Sequence, residues 1–198
     1  MILNLGAGEL PIEDVVNVDC YDTGYQDEIV DLSEFPWRWK DESIDGIYML
    51  HVLEHFPEPF KIISECYRIL KPGGFLFIAV PHSSLVIAIG CIGHYRTFSY
   101  ATFRDYFGQK YYHISKPMFK TEIARILWWH SPRRHKNKYG INFKHVEKQN
   151  YPFIYFLIVR PLSRFIQFFV DLFPRIFERV WCYYVGGAEE VVWKGIKI

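Results

Sequence analysis

A short apolar strand that runs into a glycine turn most constrains what this chain can fold into. Residues 2–5 form the strand, and Gly6, Ala7 and Gly8 follow directly. A second apolar run, residues 15–18, ends at Asp19. Glycines at such a turn let a ligand approach the backbone closely. An acid at the tip of the next strand is placed to accept hydrogen bonds from ribose hydroxyls. The pattern therefore predicts the nucleoside site of an open α/β sheet.

The connection after the glycines limits which nucleoside can bind. Residues 9–14 alone join Gly8 to the second strand, which leaves no room for a crossover helix. A dinucleotide fold needs a helix N-terminus directly after the glycines to hold a pyrophosphate. The third glycine of that fingerprint is also missing, and Pro11 stands near its place. A ligand without phosphate is favoured over NAD, and a mere tight turn is the alternative interpretation.

Composition excludes several classes of protein. The 198 residues are half hydrophobic and 19% aromatic, which predicts a single folded domain rather than a disordered chain. A net charge of +1 offers no global field for nucleic acid. Four scattered cysteines favour a reducing, cytoplasmic location over a disulfide framework. No apolar run is long enough to predict a membrane-spanning helix.

Residues 28–32 predict a short strand that ends in a second acid. Asp31 could accept a hydrogen bond from an exocyclic amine such as that of adenine, or it could cap the loop that starts at Ser33. Further along, residues 44–50 predict a buried strand, residues 60–70 an amphipathic helix, and residues 75–80 a second buried strand. This alternation of strand and helix is typical of a parallel α/β sheet.

Residues 51–55 match HxxEH, the inverted zinc-protease motif. That chemistry needs both histidines on one continuous helix. Here an apolar strand runs up to His51, and Pro57 interrupts any helix soon afterwards. We therefore predict no metal site. His51 is expected at the tip of the strand, facing the ligand, and Glu54 and His55 are expected to make local hydrogen bonds in the following loop.

Six motifs in order resemble the class I S-adenosylmethionine-dependent methyltransferases. The closest likeness is to the short type 11-like members whose glycine strand lies at the N-terminus. The likeness covers about residues 1 to 108 and rests on residues 3–8, 17–19, 30–32, 43–48, 51–56 and 68–74.

The resemblance implies an α/β fold, a Rossmann-like three-layer α/β/α architecture. Its seven-stranded sheet is mostly parallel with an antiparallel last strand. The apolar spacing of the residues before that strand, which the family does not fix, predicts an aromatic helical insertion. Within one domain, residues 1–83 would bind the cofactor, residues 84–188 would form the acceptor side and lid, and residues 189–198 would be the last strand. Residues 119–129 are expected as the sixth strand.

The resemblance also implies S-adenosyl-L-methionine as the cofactor. By position in the motifs, the binding residues would be Gly6, Ala7 and Gly8 beside the methionine part, Asp19 with the adjacent Cys20 at the ribose, Asp31 and Leu32 at the adenine, and Leu50 and His51 at the sulfonium. Ala7 replaces a frequent cysteine, and no helix precedes the first strand. A cover for the cofactor is therefore expected from the second half of the chain.

The acceptor side supplies two candidate bases. Residues 94–98 are similar to a His-x-Arg-x-Phe element of this family, and His82 follows the strand 75–80. A hydroxyl acceptor must lose a proton, and His94 and His82 are the candidates because histidine is a common general base. No Asp/Asn-Pro-Pro-Tyr motif is present, which argues against amine methylation on a nucleobase or glutamine. A small-molecule or glycan hydroxyl is the favoured acceptor; a catalytically silent scaffold and an enzyme acting on a lipid-linked acceptor are the alternatives.

Residues 161–181 predict one or two amphipathic helices with a break near Pro174. Packing of their apolar face on the sheet or over the acceptor pocket is favoured. Peripheral contact with a membrane and a homodimer interface are the other interpretations. A basic loop at residues 131–138 is expected to be either solvated or an anion site.

Overall fold

Seven strands form a mixed sheet in the order β3-β2-β1-β4-β5-β7-β6. A computed structural model describes residues 1–107, 117–127, 139, 141–142, 160–182 and 188–198. The strands are β1 (Ile2–Leu5), β2 (Val16–Asp19), β3 (Glu28–Ile29), β4 (Ile44–Leu50), β5 (Leu70–Pro81), β6 (Phe119–Leu127) and β7 (Glu190–Lys197). Strands β1 to β5 pair in parallel, whereas β7 runs antiparallel to both of its neighbours. This confirms the expected fold class.

The helical elements lie between and after these strands. They are a 3-10 turn (Leu53–His55), α1 (Pro59–Ile69), α2 (Val86–Gly90), a π turn (Thr102–Phe107), α3 (Arg160–Leu172), and α4 (Pro174–Ile176), which continues into a second π turn (Phe177–Trp181). Among the described helices, none is long and apolar enough to cross a membrane.

The core explains why the central strands read as continuous apolar runs. Both faces of β5 are covered, and its residues from Leu76 to Pro81 are all buried. On β7, Trp193 is fully buried, with its ring centroid 6.0 Å from that of Phe103 and 5.6 Å from that of Phe119. Helix α1 buries Ile62, Ile63, Cys66 and Ile69, the side that its helical spacing predicts.

The short connection between β1 and β2 is held by two buried asparagines. Asn17 accepts hydrogen bonds from the Ile12 amide at 2.8 Å and from Asn4 Nδ2 at 3.0 Å. Asn4 also donates to the Leu10 carbonyl at 3.1 Å. These bonds satisfy backbone groups of a connection that contains no helix and hold it against the two strands. Sequence reasoning missed this role, although two polar residues inside apolar strands were a usable signal.

Two boundaries differ from expectation. Strand β5 begins at Leu70, directly after α1, because Leu70 pairs with Ile44 while Ser43 donates to the Ile69 carbonyl. Residues 71–74, Lys-Pro-Gly-Gly, therefore lie within β5 instead of forming a loop between the helix and the strand. The expected strand over 28–32 is reduced to β3, which has two residues.

The apolar face of residues 161–181 is mostly exposed. Two helices with a break before Pro174 are present as predicted, but the expected packing is wrong for most of the face. Val170 and Phe177 are buried against Ile126. The remaining large apolar side chains are 46% to 62% exposed, and they are Leu162, Phe165, Phe168, Phe169, Leu172, Phe173, Ile176 and Val180. The basic loop at 131–138 and the end of the expected sixth strand, 128–129, lie outside the described residues.

Candidate active site

The glycine turn forms an open cradle at the carboxyl end of β1. Gly8 has a φ of +49°, and apart from its chain neighbours no atom of the described residues lies within 4 Å of the position that a Cβ would take there. Its amide donates to Asp19 Oδ2 at 2.8 Å. Its carbonyl accepts from Thr23 Oγ1 at 3.0 Å and from Gln26 Nε2 at 2.7 Å. The loop is thus fixed from three sides while one side stays open to a ligand.

Gly6 faces the protein instead of the ligand. A Cβ there would lie 2.3 Å from Val52 Cγ2, and the φ of +70° is left-handed. Ala7 and Leu50 are buried, at 3% and 6% exposure. These three predicted binding residues therefore shape the floor of the cradle, and their side chains have little surface to offer a ligand.

Asp19 holds the loop and keeps capacity for a ligand. Its second oxygen, Oδ1, accepts from the Tyr21 amide at 3.1 Å. Each carboxylate oxygen can accept two hydrogen bonds, so both retain an acceptor site for ribose hydroxyls. The neighbouring Cys20 is exposed. Partial desolvation of its thiol, together with the Asp19 charge, raises the pKa of Cys20. Thr23 and Gln26, which hold Gly8, were not found by sequence reasoning because nothing in their local pattern marks them.

Asp31 caps the loop that follows β3. Its Oδ1 accepts from the Ser33 amide at 2.8 Å and from the Ser33 hydroxyl at 2.7 Å, and these bonds lower the pKa of the Asp31 carboxyl. Leu32 is buried, and its carbonyl accepts from Trp37 Nε1 at 3.0 Å. The loop-cap interpretation is therefore observed. Contact of Asp31 and Leu32 with adenine stays a prediction.

His51 follows β4 directly, as predicted, and pairs with two carboxyl groups. Its Nε2 lies 2.9 Å from Glu190 Oε1, and its Nδ1 lies 3.6 Å from Glu54 Oε1. Burial acts to lower the pKa of His51, but the hydrogen bond to Glu190 and the charges of Glu190 and Glu54 outweigh it and raise this pKa to about 9. His51 is therefore protonated at neutral pH and cannot serve as a base. Tyr139 donates to the other Glu190 oxygen at 2.6 Å.

His82 lies at the end of β5 in a chain of hydrogen bonds. It is 1% exposed. Its Nδ1 accepts from the Ser84 amide at 3.1 Å and lies 2.7 Å from Ser84 Oγ. Because Nδ1 is an acceptor, Nε2 carries the proton and donates to Glu178 Oε1 at 3.3 Å. The Tyr100 amide also donates to that oxygen, at 2.6 Å, which fixes the carboxylate in place.

A cavity of about 610 Å³ opens beside this chain. Its volume lies in the range of small-molecule sites. Its polar lining is His82, Ser83, Ser84, Ser99, Glu178 and Arg179, and its apolar lining is Val86, Ile89 and Cys182. Glu178 was missed by sequence reasoning because it lies 96 residues from His82 in the chain.

His94 is held elsewhere, away from the lining of this cavity. Its Nδ1 lies 3.4 Å from the Ala88 carbonyl, and its ring packs against the His55 ring at a centroid distance of 4.9 Å. His55 makes the local bond expected of it, to the Gly93 carbonyl at 2.9 Å. Glu54 makes such a bond through its carbonyl, which accepts from the Tyr95 amide at 2.8 Å. Its carboxylate is buried and has no hydrogen-bond partner among the described residues.

Comparison with known proteins identifies a domain family and solved structures that this chain resembles. Residues 10–78 match a family described as a methyltransferase domain. A SAM-dependent methyltransferase from Archaeoglobus fulgidus superposes with a TM-score of 0.53 at 16% identity, covering 99% of this chain and 85% of that one. One from Thermotoga maritima gives 0.53 at 16% identity, covering 100% and 82%.

The chain has the class I S-adenosylmethionine-dependent methyltransferase fold. This confirms the resemblance drawn from the six motifs. The residues present also fit the cofactor: Gly8 borders open space, Asp19 retains acceptor capacity, and no helix follows the glycines to bind a phosphate.

Curated relatives match over a short region. A ubiquinone biosynthesis O-methyltransferase from Pseudomonas putida (strain W619) is 42% identical over 53 residues, which cover 25% of this chain and 23% of that protein. The Pasteurella multocida protein of the same name is 39% identical over 51 residues, covering 26% and 21%. The match thus spans less than a quarter of each relative's length.

The methyltransferase fold also carries other chemistry. The [4+2]-cyclase SpnF superposes with a TM-score of 0.51 at 12% identity, covering 99% of this chain and 73% of SpnF. The reaction of this chain must therefore be argued from its own side chains.

Proposed function

We propose that this protein is an S-adenosylmethionine-dependent O-methyltransferase whose acceptor hydroxyl binds in the cavity beside His82. The observation that carries the proposal is the Ser84–His82–Glu178 chain of hydrogen bonds in the cavity wall, in which His82 is buried. Strand β5, which leads to His82, is the neighbour of β4, and β4 pairs with β1 and its glycine cradle. The short matches to proteins named O-methyltransferases support the same reaction class.

S-adenosylmethionine would supply a methyl group that is already activated on a sulfonium. The protein's contribution is alignment, exclusion of water and removal of the acceptor proton. Ser84 Oγ lies 2.7 Å from His82 Nδ1, so a proton taken from an acceptor hydroxyl can pass through the Ser84 hydroxyl to the imidazole. Glu178 then stabilises the imidazolium, since its Oε1 already accepts from Nε2.

Paired acceptors test the reaction class. Aromatic phenols and the amines of the same ring skeleton are incubated with methyl-labelled S-adenosylmethionine, and labelled product is counted. We expect phenols to be methylated at least about tenfold faster than the amines, because base catalysis by His82 assists only the hydroxyl. Faster amine methylation would contradict the proposal. Cofactor binding without transfer to any acceptor would favour the silent scaffold.

A lipid-linked acceptor is the second candidate, and the exposed apolar surface favours it. Val86 and Ile89 border the cavity and are 85% and 71% exposed. The exposed aromatic face of α3 leads through α4 to Arg179, which also lines the cavity. Large exposed apolar surface with nearby arginines suits the interface of an anionic membrane. A hydroxyl acceptor with an apolar tail would then enter the cavity from the lipid.

Vesicle flotation tests this second candidate. We expect the protein to float with anionic vesicles. A Phe165→Ala, Phe168→Ala double variant should bind them at least about tenfold more weakly, because it lacks two phenyl rings that would be buried in the lipid. Phe60→Ala is the matched control, since Phe60 is 46% exposed on α1, a different helix. Absence of wild-type recovery, or a dimer in solution that covers the same face, would reject membrane binding.

A further inference from the structure

Glu54, His55 and His94 lie close together outside the proposed catalytic chain. One ligand atom from each residue lies within 4.8 Å of the other two. Glu54 and His55 belong to the 3-10 turn after β4, whereas His94 lies in the loop after α2. The backbone joins the two segments, because the Tyr95 amide donates to the Glu54 carbonyl at 2.8 Å. The juxtaposition is therefore built into the fold.

The Glu54 carboxylate is buried without a hydrogen bond in the described part of the chain. Its side chain is 1% exposed, and neither oxygen makes a hydrogen bond with any of the described residues. The nearest charged group described is His51 Nδ1, at 3.6 Å, and His51 makes its shorter bond to Glu190. Buried carboxylates are normally hydrogen-bonded or bound to a metal. Because its nearest charged neighbour is bound more closely to Glu190, this buried carboxylate points to a cation ligand.

Both histidines contact a backbone carbonyl through Nδ1. His55 Nδ1 lies 2.9 Å from the Gly93 carbonyl, and His94 Nδ1 lies 3.4 Å from the Ala88 carbonyl. A carbonyl oxygen can only accept, so each Nδ1 carries the proton and each Nε2 retains its lone pair. Metal-bound histidines characteristically donate their other ring N–H to a carbonyl or carboxylate in this way.

We propose that Glu54, His55 and His94 bind a divalent transition-metal cation of the zinc class. Two imidazoles and one carboxylate form a three-ligand set that zinc accepts, with water in the fourth position. Zinc–ligand distances of about 2.0–2.2 Å place tetrahedral ligand atoms about 3.3–3.6 Å apart, so the group needs to contract by little more than about 1 Å. His55 is exposed, which gives the ion a route of entry.

This metal site is distinct from the one that HxxEH would predict. His51 belongs to the motif but pairs with Glu190, and the third ligand is His94, from a separate loop. A bound ion would join the loop after β4, on the cofactor side, to the loop that follows α2 near the acceptor cavity. The site requires neither cofactor nor acceptor, so it stands independently of the proposed methyl transfer.

Zinc titration of the full chain against a chromophoric chelator tests the proposal. We expect about one equivalent of Zn²⁺ to bind. His94→Gln and Glu54→Gln are each expected to weaken binding by about 100-fold or more, since loss of even an outer-shell partner costs about 10- to 100-fold. Glu58→Gln, on an exposed carboxylate paired with Lys61, is the matched control and should bind as the wild type does.

Two further measurements make the outcome decisive. Circular dichroism of each variant establishes that it is folded, and Zn²⁺ should raise the melting temperature of the wild type but of neither ligand variant. Co²⁺ should give tetrahedral visible bands without the intense near-ultraviolet band of a thiolate ligand. Unchanged zinc affinity in both folded ligand variants, or a thiolate band, would overturn the assignment.

Discussion

Asp19→Ala is expected to weaken the binding of S-adenosylhomocysteine by about 100-fold. A hydrogen bond to a charged group is worth about 1.5–3 kcal/mol, and each 1.4 kcal/mol is tenfold in affinity. The substitution removes the acceptor that we assign to the ribose. It also releases the Gly8 amide, which Asp19 Oδ2 holds at 2.8 Å, and so loosens the cradle itself.

Isothermal titration calorimetry measures this effect directly. Asp22→Ala is the matched control, because Asp22 lies on the same exposed loop and accepts only a local bond from the Gly24 amide. Asp19→Asn separates the two contributions, since an amide oxygen can still accept from Gly8 but carries no charge. An Asp19→Ala variant that binds within about twofold of the wild type would refute the ribose assignment.

His82→Gln is expected to lower kcat for a hydroxyl acceptor by about 10² to 10⁴, the contribution of a positioned general base. Affinity for S-adenosylhomocysteine should be unchanged, because His82 lies in the wall of the acceptor cavity. The measurement is labelled methyl transfer at saturating cofactor. Near-ultraviolet circular dichroism checks that the buried site remains folded.

Two comparisons decide between a base and a structural role for His82. Glu178→Gln keeps the shape of the carboxylate but removes its charge, so it should lower kcat less than His82→Gln and alter the pH dependence of the rate. If the role of His82 is mainly structural, His82→Gln should lower the stability of the protein without changing the pH profile of the rate. If His94→Gln costs more activity than His82→Gln, the base has been assigned to the wrong histidine.

Local sequence features were sufficient to predict the main elements of the cofactor half. A glycine turn after a strand and an acid at the next strand tip are separated by few residues, so their spatial relation follows from backbone geometry alone. The same short spacing excluded a phosphate-binding helix at residues 9–14. Apolar continuity in residues 75–80 identified a strand covered on both faces.

The amphipathic segment shows a limit of sequence periodicity. The pattern over residues 161–181 established helices and an apolar side, but the period carries no information about what covers that side. Packing was the favoured interpretation, and the structure leaves Phe165, Phe168 and Phe169 at least 46% exposed. Only the arrangement of the whole molecule could show this, because burial depends on residues distant in the chain.

The sequence by itself predicted the strands of the cofactor half, the glycine turn and the position of Asp19 at a strand tip, and it favoured a ligand without phosphate. The tertiary structure alone decided which carboxylate meets which histidine. Glu190 reaches His51 across 139 positions, Glu178 reaches His82 across 96, and His94 joins Glu54 from another loop. The physical reason is that a residue's local pattern encodes its backbone state, whereas its charge partners are selected when distant strands and loops pack together.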